Sequence, residues 1–299
     1  MESLVQRPLV EVIVNKNWET EPFLAAMTNP KLRSPELPFP SVINTPKDGD
    51  NRMSDPRARY RLSNSDVIVR CIEDLMLPND NTSSSEAKYK VLPSYIHADN
   101  PDYIISVSTA ESAAYTSTES SENGSVYIGG SFFLHDADPD NPCSHLIIPP
   151  DKVFIPNNMN EAVFALFGGT FADGATARFI PAVRHPAAKM TCLASPDYAA
   201  VGVINITDYS MYEKADKEAR EAFDHYGPAD KTTAVSIETT HGVVRLSSDK
   251  PILFVSPITD RYECFQEDVT DTQNYTVAFN AGICVGDMLV ALNTYFGQT

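Results

Sequence analysis

Basic residues are scarce in this sequence, which has 23 Lys and Arg against 40 Asp and Glu over 299 residues, a formal net charge of −17. An acidic surface repels the phosphate backbone of nucleic acids and the anionic headgroups of membranes. The sequence also lacks the Lys/Arg clusters that a nucleic-acid interface requires. We therefore expect neither polymeric nucleic acid nor a membrane as a partner, and we predict a small-molecule ligand.

Cysteines and long apolar runs are also few. The five cysteines are widely spaced and form no Cys-x-x-Cys pair, which argues against a zinc knot or a disulfide framework (Cys71, Cys143, Cys192, Cys264 and Cys284). No apolar run approaches the roughly 20 residues that a membrane span needs. The N-terminal segment MESLVQRPLVEVIV lacks the cleavable apolar stretch of a secretory signal. These absences favour a cytoplasmic protein.

Short apolar runs alternate with helical patterns along the chain, and 42% of the residues are hydrophobic. The runs at 9–14, 67–71, 103–107, 126–128, 132–134, 201–206 and 251–255 predict strands. The segments 19–27, 83–96 and 212–223 predict helices, and 274–296 predicts a long amphipathic one. Such alternation is typical of an α/β layered domain. Because we find no internal repeat and no clean linker, we predict one domain over 1–299.

Two proline-rich stretches interrupt this pattern, at about 28–65 and 139–160. They are rich in Pro, Asn, Asp and Ser and predict long irregular loops. Long loops in compact domains are usually functional. We expect both insertions to line or cover a ligand pocket.

Polar residues cluster directly after several predicted strands, at 18–21, 108–112, 207–209 and 259–260, and a fifth cluster lies at 236–240. Ligands of open α/β sheets bind beyond the carboxyl ends of the strands. A carboxylate at a strand end is, by itself, more often a solvated residue or a helix cap. The five clusters together nevertheless predict that several acidic side chains converge on one cleft.

The order of these segments resembles the methylthioadenosine/S-adenosylhomocysteine nucleosidases and the related nucleoside phosphorylases. In that family a strand reading roughly VxMES is followed by a helix and by a Pro-led apolar strand ending in ISD. The counterparts here are SIET around Glu238, then Pro251, then ITD at Asp260. The segments EVIVNKNWETEPFLAAM, GSVYIGGSFFLHDAD and VGVINITDYSMYEKADKEAREAF are similar to further family segments in the same order. The resemblance covers most of the chain, although each motif is loose.

The resemblance implies a three-layer nucleoside-phosphorylase-like fold, with a central mixed sheet flanked by helices, and cleavage of the N-glycosidic bond of a purine nucleoside or a related compound. Asp260 would donate a proton or strong hydrogen bond to the base nitrogen N7, and Glu238 would bind the ribose hydroxyls. Glu21 would act as the general base that activates water, and Tyr209 or Tyr212 would stack on the base.

Further implications concern the pocket, the assembly and the cofactors. The family pattern implies four further substrate-binding residues, Ile237, Thr109, Glu111 and Asp208. It implies a fifth at Ser256, a position where the family has an arginine. Family members are usually homo-oligomers, so a dimer or a hexamer is expected, and the apolar stretch FALFGGTF at 164–171 is a candidate interface. No cofactor and no metal are expected. His135, in the segment HDAD, is interpreted as structural.

Two departures from the family pattern bear on the reaction. The family's glycine-rich turn, roughly TGxAGG, reads Ser108-Thr109-Ala110-Glu111-Ser112 here, and an arginine four residues before the catalytic Asp is replaced by Ser256. A carboxylate at Glu111 would repel a phosphate dianion. Hydrolysis is therefore predicted over phosphorolysis. A phosphate-dependent phosphorylase and a non-catalytic nucleoside-binding relative stay open as alternatives.

Overall fold

The structure, a computed structural model, describes residues 7–46, 53–115, 122–140, 148, 153–172, 178–180, 182–229 and 231–299. Its strands are β1 Leu9–Val14, β2 Val42–Ile43, β3 Ala58–Arg61, β4 Asp66–Cys71, β5 Tyr103–Val107, β6 Ala110–Ser112, β7 Val126–Gly129, β8 Ser131–Asp136, β9 Phe154–Ile155, β10 Cys192–Ala194, β11 Tyr198–Ile204, β12 Thr233–Glu238 and β13 Ile252–Asp260. Its helices are α1 Asn17–Thr28, α2 Ile72–Leu75, α3 Ser85–Asp99, α4 Glu161–Phe171, α5 Tyr212–Tyr226, α6 His241–Leu246, α7 Phe265–Asp268 and α8 Asp271–Phe296.

The strands form one mixed sheet in the order β2-β3-β4-β1-β5-β13-β6-β12-β11-β8-β9, with β7 beside β13 and β10 beside β7. Parallel pairing joins β4, β1, β5 and β13 in one half, and β8, β11 and β12 in the other. The short strand β6 connects the halves, because it pairs parallel to β13 and antiparallel to β12. The strands of the second half therefore run opposite to β13, yet residues at or directly after the carboxyl ends of β1, β5, β12 and β13 line one cavity.

Helices cover both faces of this sheet. Along β13, Leu253 and Val255 belong to a hydrophobic cluster with residues of α1, α4 and α8. The alternate residues Ile252 and Phe254 belong to a second cluster, which includes residues of α2, α3 and α6. Successive strand residues point to opposite faces, so this alternation buries both sides of the strand. The α/β fold with a central mixed sheet flanked by helices is thereby confirmed.

The predicted insertions are only partly irregular. Residues 28–65 contain β2 and β3, and β3 pairs antiparallel to β4 at the edge of the sheet. The prediction of a wholly irregular segment is wrong there, because the alternating ARYR of β3 buries Ala58 and Tyr60 while Arg59 and Arg61 stay exposed. Half of the second insertion, 141–147 and 149–152, lies outside the described residues.

The C-terminal helix differs from its prediction in character. Among the described residues, α8 alone is long and apolar enough to span a membrane, but most of its apolar stretch is buried inside the fold. Buried residues lie all round the helix between Val277 and Leu292. The prediction of an amphipathic helix is therefore wrong, because α8 packs against α1, α4 and β13 on several sides.

The stretch predicted as an interface lies on α4. Its phenylalanines, Phe164, Phe167 and Phe171, are buried in the chain's own core, whereas Gly168 and Thr170 are exposed. The aromatic side chains that suggested an interface are thus already covered. Homo-oligomerisation remains a prediction, but this stretch does not support it.

Close contact between α1 and α8 depends on Gly282. A Cβ atom at this position would clash with the carbonyl oxygen of Phe23 and lie 2.8 Å from the Cβ of Ala26. We expect Gly282→Ala to lower the free energy of unfolding by roughly 1–3 kcal/mol, the usual cost of overpacking. Gly286→Ala, on the same helix, is the matched control, since its Cβ would come no closer than 3.4 Å to Leu37. Equal urea midpoints for the two variants would contradict this packing.

Candidate active site

A cavity of about 250 Å³ is lined by residues at or directly after the carboxyl ends of β1, β5, β12 and β13. Helix α5 and the segment after β13 close its sides. It is lined by Asn15, Lys16, Trp18, Ser83, Ser108, Thr109, Ala110, Glu111, Tyr209, Tyr212, Asp216, Ile237, Glu238, Thr239, Thr259, Asp260, Phe265, Val269 and Asn274. The cavity has the size and position expected of a small-molecule site in an α/β protein.

Asp260 is the last residue of β13 and is only 2% exposed. Its Oδ1 accepts a hydrogen bond from the hydroxyl of Thr259, and its Oδ2 is buried without a partner among the described residues. Burial raises the pKa of this carboxyl to about 7. Asp260 can therefore exist as a neutral acid near neutral pH, with an oxygen free to donate into the cavity.

Glu238 ends β12 and is 4% exposed. The backbone N–H groups of Thr240 and His241 donate to its Oε2, the latter at 2.8 Å, while Oε1 is buried without a partner among the described residues. Burial raises the pKa of Glu238 to about 7. One oxygen is thus fixed by the protein, and the other is left for a ligand.

A buried cation stands behind Glu238. Lys88 of α3 is fully buried, and its Nζ donates to the hydroxyl of Thr240 at 3.1 Å. Its positive charge lowers the pKa of Glu238, opposing the effect of burial. Burial in turn lowers the pKa of Lys88 to about 8. Lys88 therefore helps to keep a carboxylate ionised in a site from which water is largely excluded.

Glu19, rather than Glu21, is the buried acid of α1. Its Oε1 accepts two hydrogen bonds from Thr109, one from the backbone N–H and one from the hydroxyl, both at 2.7 Å. Its Oε2 accepts from the backbone N–H of Lys16 at 2.9 Å. Burial raises the pKa of Glu19. Because Thr109 lines the cavity, its hydroxyl links Glu19 to whatever occupies the site.

Glu111 brings a second carboxyl beside Asp260, since the two residues are partners across β6 and β13. Its Oε1 accepts a hydrogen bond from the backbone N–H of Glu263 at 2.9 Å. Asp216 of α5 adds a third carboxyl to the cavity wall. Burial, followed by the charges of Asp216 and Asp260, raises the pKa of Glu111 to about 10. At neutral pH Glu111 is therefore protonated among these neighbours.

Aromatic rings form another part of the wall. The ring of Tyr209 lies 5.0 Å from that of Tyr212 and 5.3 Å from that of Phe265. Trp18 and Tyr209 line the cavity although they are 42% and 54% exposed. These rings offer flat apolar surfaces on which a heterocyclic base can stack.

The structure brings six of the predicted site residues together around the cavity, namely Asp260, Glu238, Ile237, Thr109, Glu111 and Tyr209. Three others do not line it. Glu21 is exposed, because it follows Glu19 by two residues and therefore points to the opposite side of α1, whose buried face carries Glu19. Asp208 is exposed and accepts a hydrogen bond from the backbone N–H of Ser210, so it caps a short turn.

Ser256, the third, lies beneath the cavity. It is fully buried in the middle of β13, where its Oγ contacts Ser236 Oγ at 2.8 Å and His241 Nε2 at 3.0 Å. His241 Nδ1 also contacts Ser106 Oγ at 2.7 Å. Burial lowers the pKa of His241 to about 3, so the imidazole is neutral at physiological pH. Ser256 therefore belongs to a neutral polar network that supports the site from below.

Several residues of the site were missed in the sequence. Asp216 stands in the charged stretch YEKADKEAREAF, which has the composition of a solvated helix face. Lys88 and Phe265 occupy positions with no distinctive motif. A helical projection of 212–223 could have identified Asp216 as the acidic residue that faces the sheet. In that projection Ala215 and Ala219 mark the buried face of the helix, and Asp216 lies beside them. The predicted structural role of His135 agrees with its position on β8, away from the cavity lining.

No protein-family model matches the sequence, and no curated protein matches it significantly. Solved structures do match. Futalosine hydrolase of Helicobacter pylori is 14% identical with a TM-score of 0.55, over 95% of this chain and 99% of that one. A 5′-methylthioadenosine/S-adenosylhomocysteine nucleosidase of Colwellia psychrerythraea, solved with adenine, is 13% identical with a TM-score of 0.56, over 96% of each chain.

A plant protein gives the same result. The 5′-methylthioadenosine nucleosidase of Arabidopsis thaliana is 11% identical with a TM-score of 0.52, over 98% of this chain and 97% of that one. At such identities the likeness concerns the fold, and it extends over almost the whole of each chain. The chain therefore has the fold of these solved nucleosidases and of futalosine hydrolase, which is the fold that the sequence resemblance predicts.

Proposed function

We propose that this protein hydrolyses the N-glycosidic bond of a purine nucleoside or a related N-glycoside and releases the free base. The observation that carries the proposal is that one cavity contains two buried carboxyls, Asp260 and Glu238, each with an unpartnered oxygen. Two such groups with different roles are what cleavage of a glycosidic bond requires. The shared fold with solved nucleosidases, one of them holding adenine, supports the same reaction.

Asp260 serves as the acid in this proposal. When the glycosidic bond breaks, its electron pair goes to the base, which then carries negative charge. Protonation of a ring nitrogen by Asp260 Oδ2 neutralises that charge. The raised pKa of Asp260, about 7, keeps part of the population protonated at neutral pH.

Glu238 binds the sugar. Its free Oε1 accepts hydrogen bonds from the ribose hydroxyls, and its negative charge favours the cationic character that the sugar develops as the bond breaks. The hydrogen bonds to Oε2 hold the carboxylate in place, so little reorganisation is needed during the reaction. The buried charge of Lys88 helps to keep Glu238 ionised.

Water attack is assigned to Glu19 and Thr109. A water molecule bound at the Thr109 hydroxyl loses its proton to Glu19, either directly or through that hydroxyl. The raised pKa of Glu19 makes it a better proton acceptor than an ordinary carboxylate. This assignment replaces Glu21, whose exposed side chain lies outside the cavity lining.

Water is favoured over phosphate as the nucleophile. Four acidic side chains line the cavity, and its single lysine, Lys16, already donates to Thr82 and Ser83. A phosphate dianion would meet no free basic side chain among the residues that line the cavity. The protein is further proposed to be a cytoplasmic homo-oligomer that needs no cofactor.

Base release from a panel of neutral nucleosides tests the proposal. Adenosine, inosine, methylthioadenosine and S-adenosylhomocysteine are incubated with the dialysed protein, with and without phosphate, and the products are separated by chromatography. We expect free base and free sugar in equal amounts, independent of phosphate. Sugar 1-phosphate formed only with phosphate would establish a phosphorylase instead. Binding of a nucleoside without any release would favour a non-catalytic module.

A further inference from the structure

Three carboxyls meet at the Asp260 end of the cavity. Glu111 and Asp260 are register partners on β6 and β13, and Asp216 faces them from α5. The neighbouring charges that act on Glu111 are all acidic, namely those of Asp216, Asp260 and Glu263. Those that act on Asp216 are acidic too. The described structure thus gives this carboxyl cluster, Glu111–Asp216–Asp260, no basic partner of its own.

The proposed hydrolysis of a neutral nucleoside uses only one of these groups. Asp260 is the acid, whereas Glu111 and Asp216 have no role in it. Asp260 Oδ2 and Asp216 Oδ1 are both buried without a partner among the described residues. Asp260 as a whole is only 2% exposed. Buried carboxyl oxygens without partners are costly, so the ligand is expected to compensate them.

Aromatic rings line the cavity together with the carboxyl cluster. Burial raises the pKa of the Tyr209 phenol, with smaller contributions from Tyr212 and from the carboxyl of Asp260. The Tyr209 ring packs against those of Phe265 and Tyr212. The face of an aromatic ring attracts a cation, most strongly where water is excluded. Rings and carboxyls together recognise a flat group that carries positive charge.

We propose that the carboxyl cluster binds a positively charged base, and that the preferred substrate is an N-glycoside of a cationic heterocycle, an N7-alkylated purine or a pyridinium ring. The inference rests on the proposed hydrolysis and names its substrate class. A cation between the three carboxyls allows more than one of them to ionise. Burial and acidic neighbours raise the pKa of Glu111, and a bound cation would lower it.

The chemistry balances without an acid. The C–N bond breaks, and its electron pair returns to the ring nitrogen and neutralises the cationic base. Water forms the new C–O bond at the sugar, and its proton passes to Glu19 and then to solvent. The products are a neutral base, free ribose and one proton. No oxidant, phosphate or metal enters this balance.

Matched substrate pairs test the inference. Base release is measured for 7-methylguanosine against guanosine, and for 7-methylinosine against inosine, with nicotinamide riboside as the pyridinium probe. We expect kcat/KM to be roughly tenfold or more higher for the cationic member of each pair after subtraction of its faster spontaneous hydrolysis. Equal values for the two members, with clear release from both, would overturn the inference and leave the proposed hydrolysis intact. Release from none would overturn both.

Two variants test whether the carboxyl cluster causes the preference for cationic substrates. Glu111→Gln and Asp216→Asn each remove one carboxyl that can ionise beside a bound cation, at nearly constant volume, and each is expected to reduce the cationic-to-neutral ratio of kcat/KM by roughly three- to tenfold. Glu221→Gln removes an exposed charge of α5 and serves as the control. Thermal unfolding is recorded for each variant. Should Glu111→Gln not fold, Asp216→Asn decides, because Asp216 lies on a helix and is only partly buried, whereas Glu111 is buried on a strand. An unchanged ratio in a folded variant would overturn the assignment.

Discussion

Asp260→Asn is expected to slow base release from neutral purine nucleosides by roughly 10²–10⁴-fold, the range that general acid catalysis contributes. The amide has almost the same shape as the protonated acid, but its N–H₂ group cannot transfer a proton to the leaving base. The loss should appear in kcat more than in KM, because the proton is needed only as the bond breaks. Steady-state kinetics with the best neutral substrate provides the measurement.

The pH profile gives a second signature of the same residue. Asp260 must be protonated to act, and burial raises its pKa to about 7, so its contribution is present below that pH and is lost as the pH rises through it. Glu238 must be ionised, and its pKa is also raised to about 7, so its contribution is gained over the same range. We expect a narrow bell-shaped profile whose two apparent pKa values belong to the pair. Asp260→Asn should remove the alkaline limb alone.

Asp208→Asn is the matched control for this variant. Asp208 also follows a strand and carries a carboxylate, but it is exposed and caps the turn Tyr209–Met211. We expect nearly wild-type kinetics from it. A large loss in Asp208→Asn together with a small loss in Asp260→Asn would contradict the assignment of the acid.

The strand ends are the part of the site that the sequence predicts well. Buried parallel strands are short continuous apolar runs, so 9–14 and 103–107 coincide with β1 and β5. Ligands bind beyond the carboxyl ends of such strands, and the resemblance to the nucleosidases assigns Glu238 and Asp260 to the site. Their position follows from the pattern, whereas the free oxygen on each follows only from the three-dimensional structure.

Helical residues are harder to assign because their direction depends on the phase of the helix. Glu19 and Glu21 differ by two residues, which turns the side chains to opposite sides of α1. Asp216 is one of many charged residues of α5, and only packing against the sheet shows that it faces the cavity. Lys88 is an ordinary helical lysine in the sequence. Its complete burial depends on α3 packing beside α6, a contact between distant parts of the chain.

Glu19→Gln is expected to reduce base release by roughly 10²–10³-fold, whereas Glu21→Gln leaves it nearly unchanged. Glu19 accepts three hydrogen bonds from Thr109 and Lys16, and Thr109 joins it to the cavity. The glutamine can still accept from Thr109, but its amide N–H₂ would meet the backbone N–H of Lys16. Some loss of stability is therefore expected, and thermal unfolding of each variant must accompany the kinetics.

Thr109→Val separates stability from catalysis in this argument. It keeps the backbone N–H that donates to Glu19 Oε1 and removes only the hydroxyl that joins Glu19 to the cavity. If water loses its proton through this hydroxyl, Thr109→Val should reduce the rate of base release by much of the factor seen in Glu19→Gln. Its affinity for the free nucleobase should change little. Full activity in Thr109→Val would mean that Glu19 takes the proton directly. Full activity in Glu19→Gln, with loss of activity in Glu21→Gln, would identify Glu21 as the general base, as predicted from the sequence alone. That result would require α1 to turn in the catalytic complex, because Glu21 is exposed outside the cavity here.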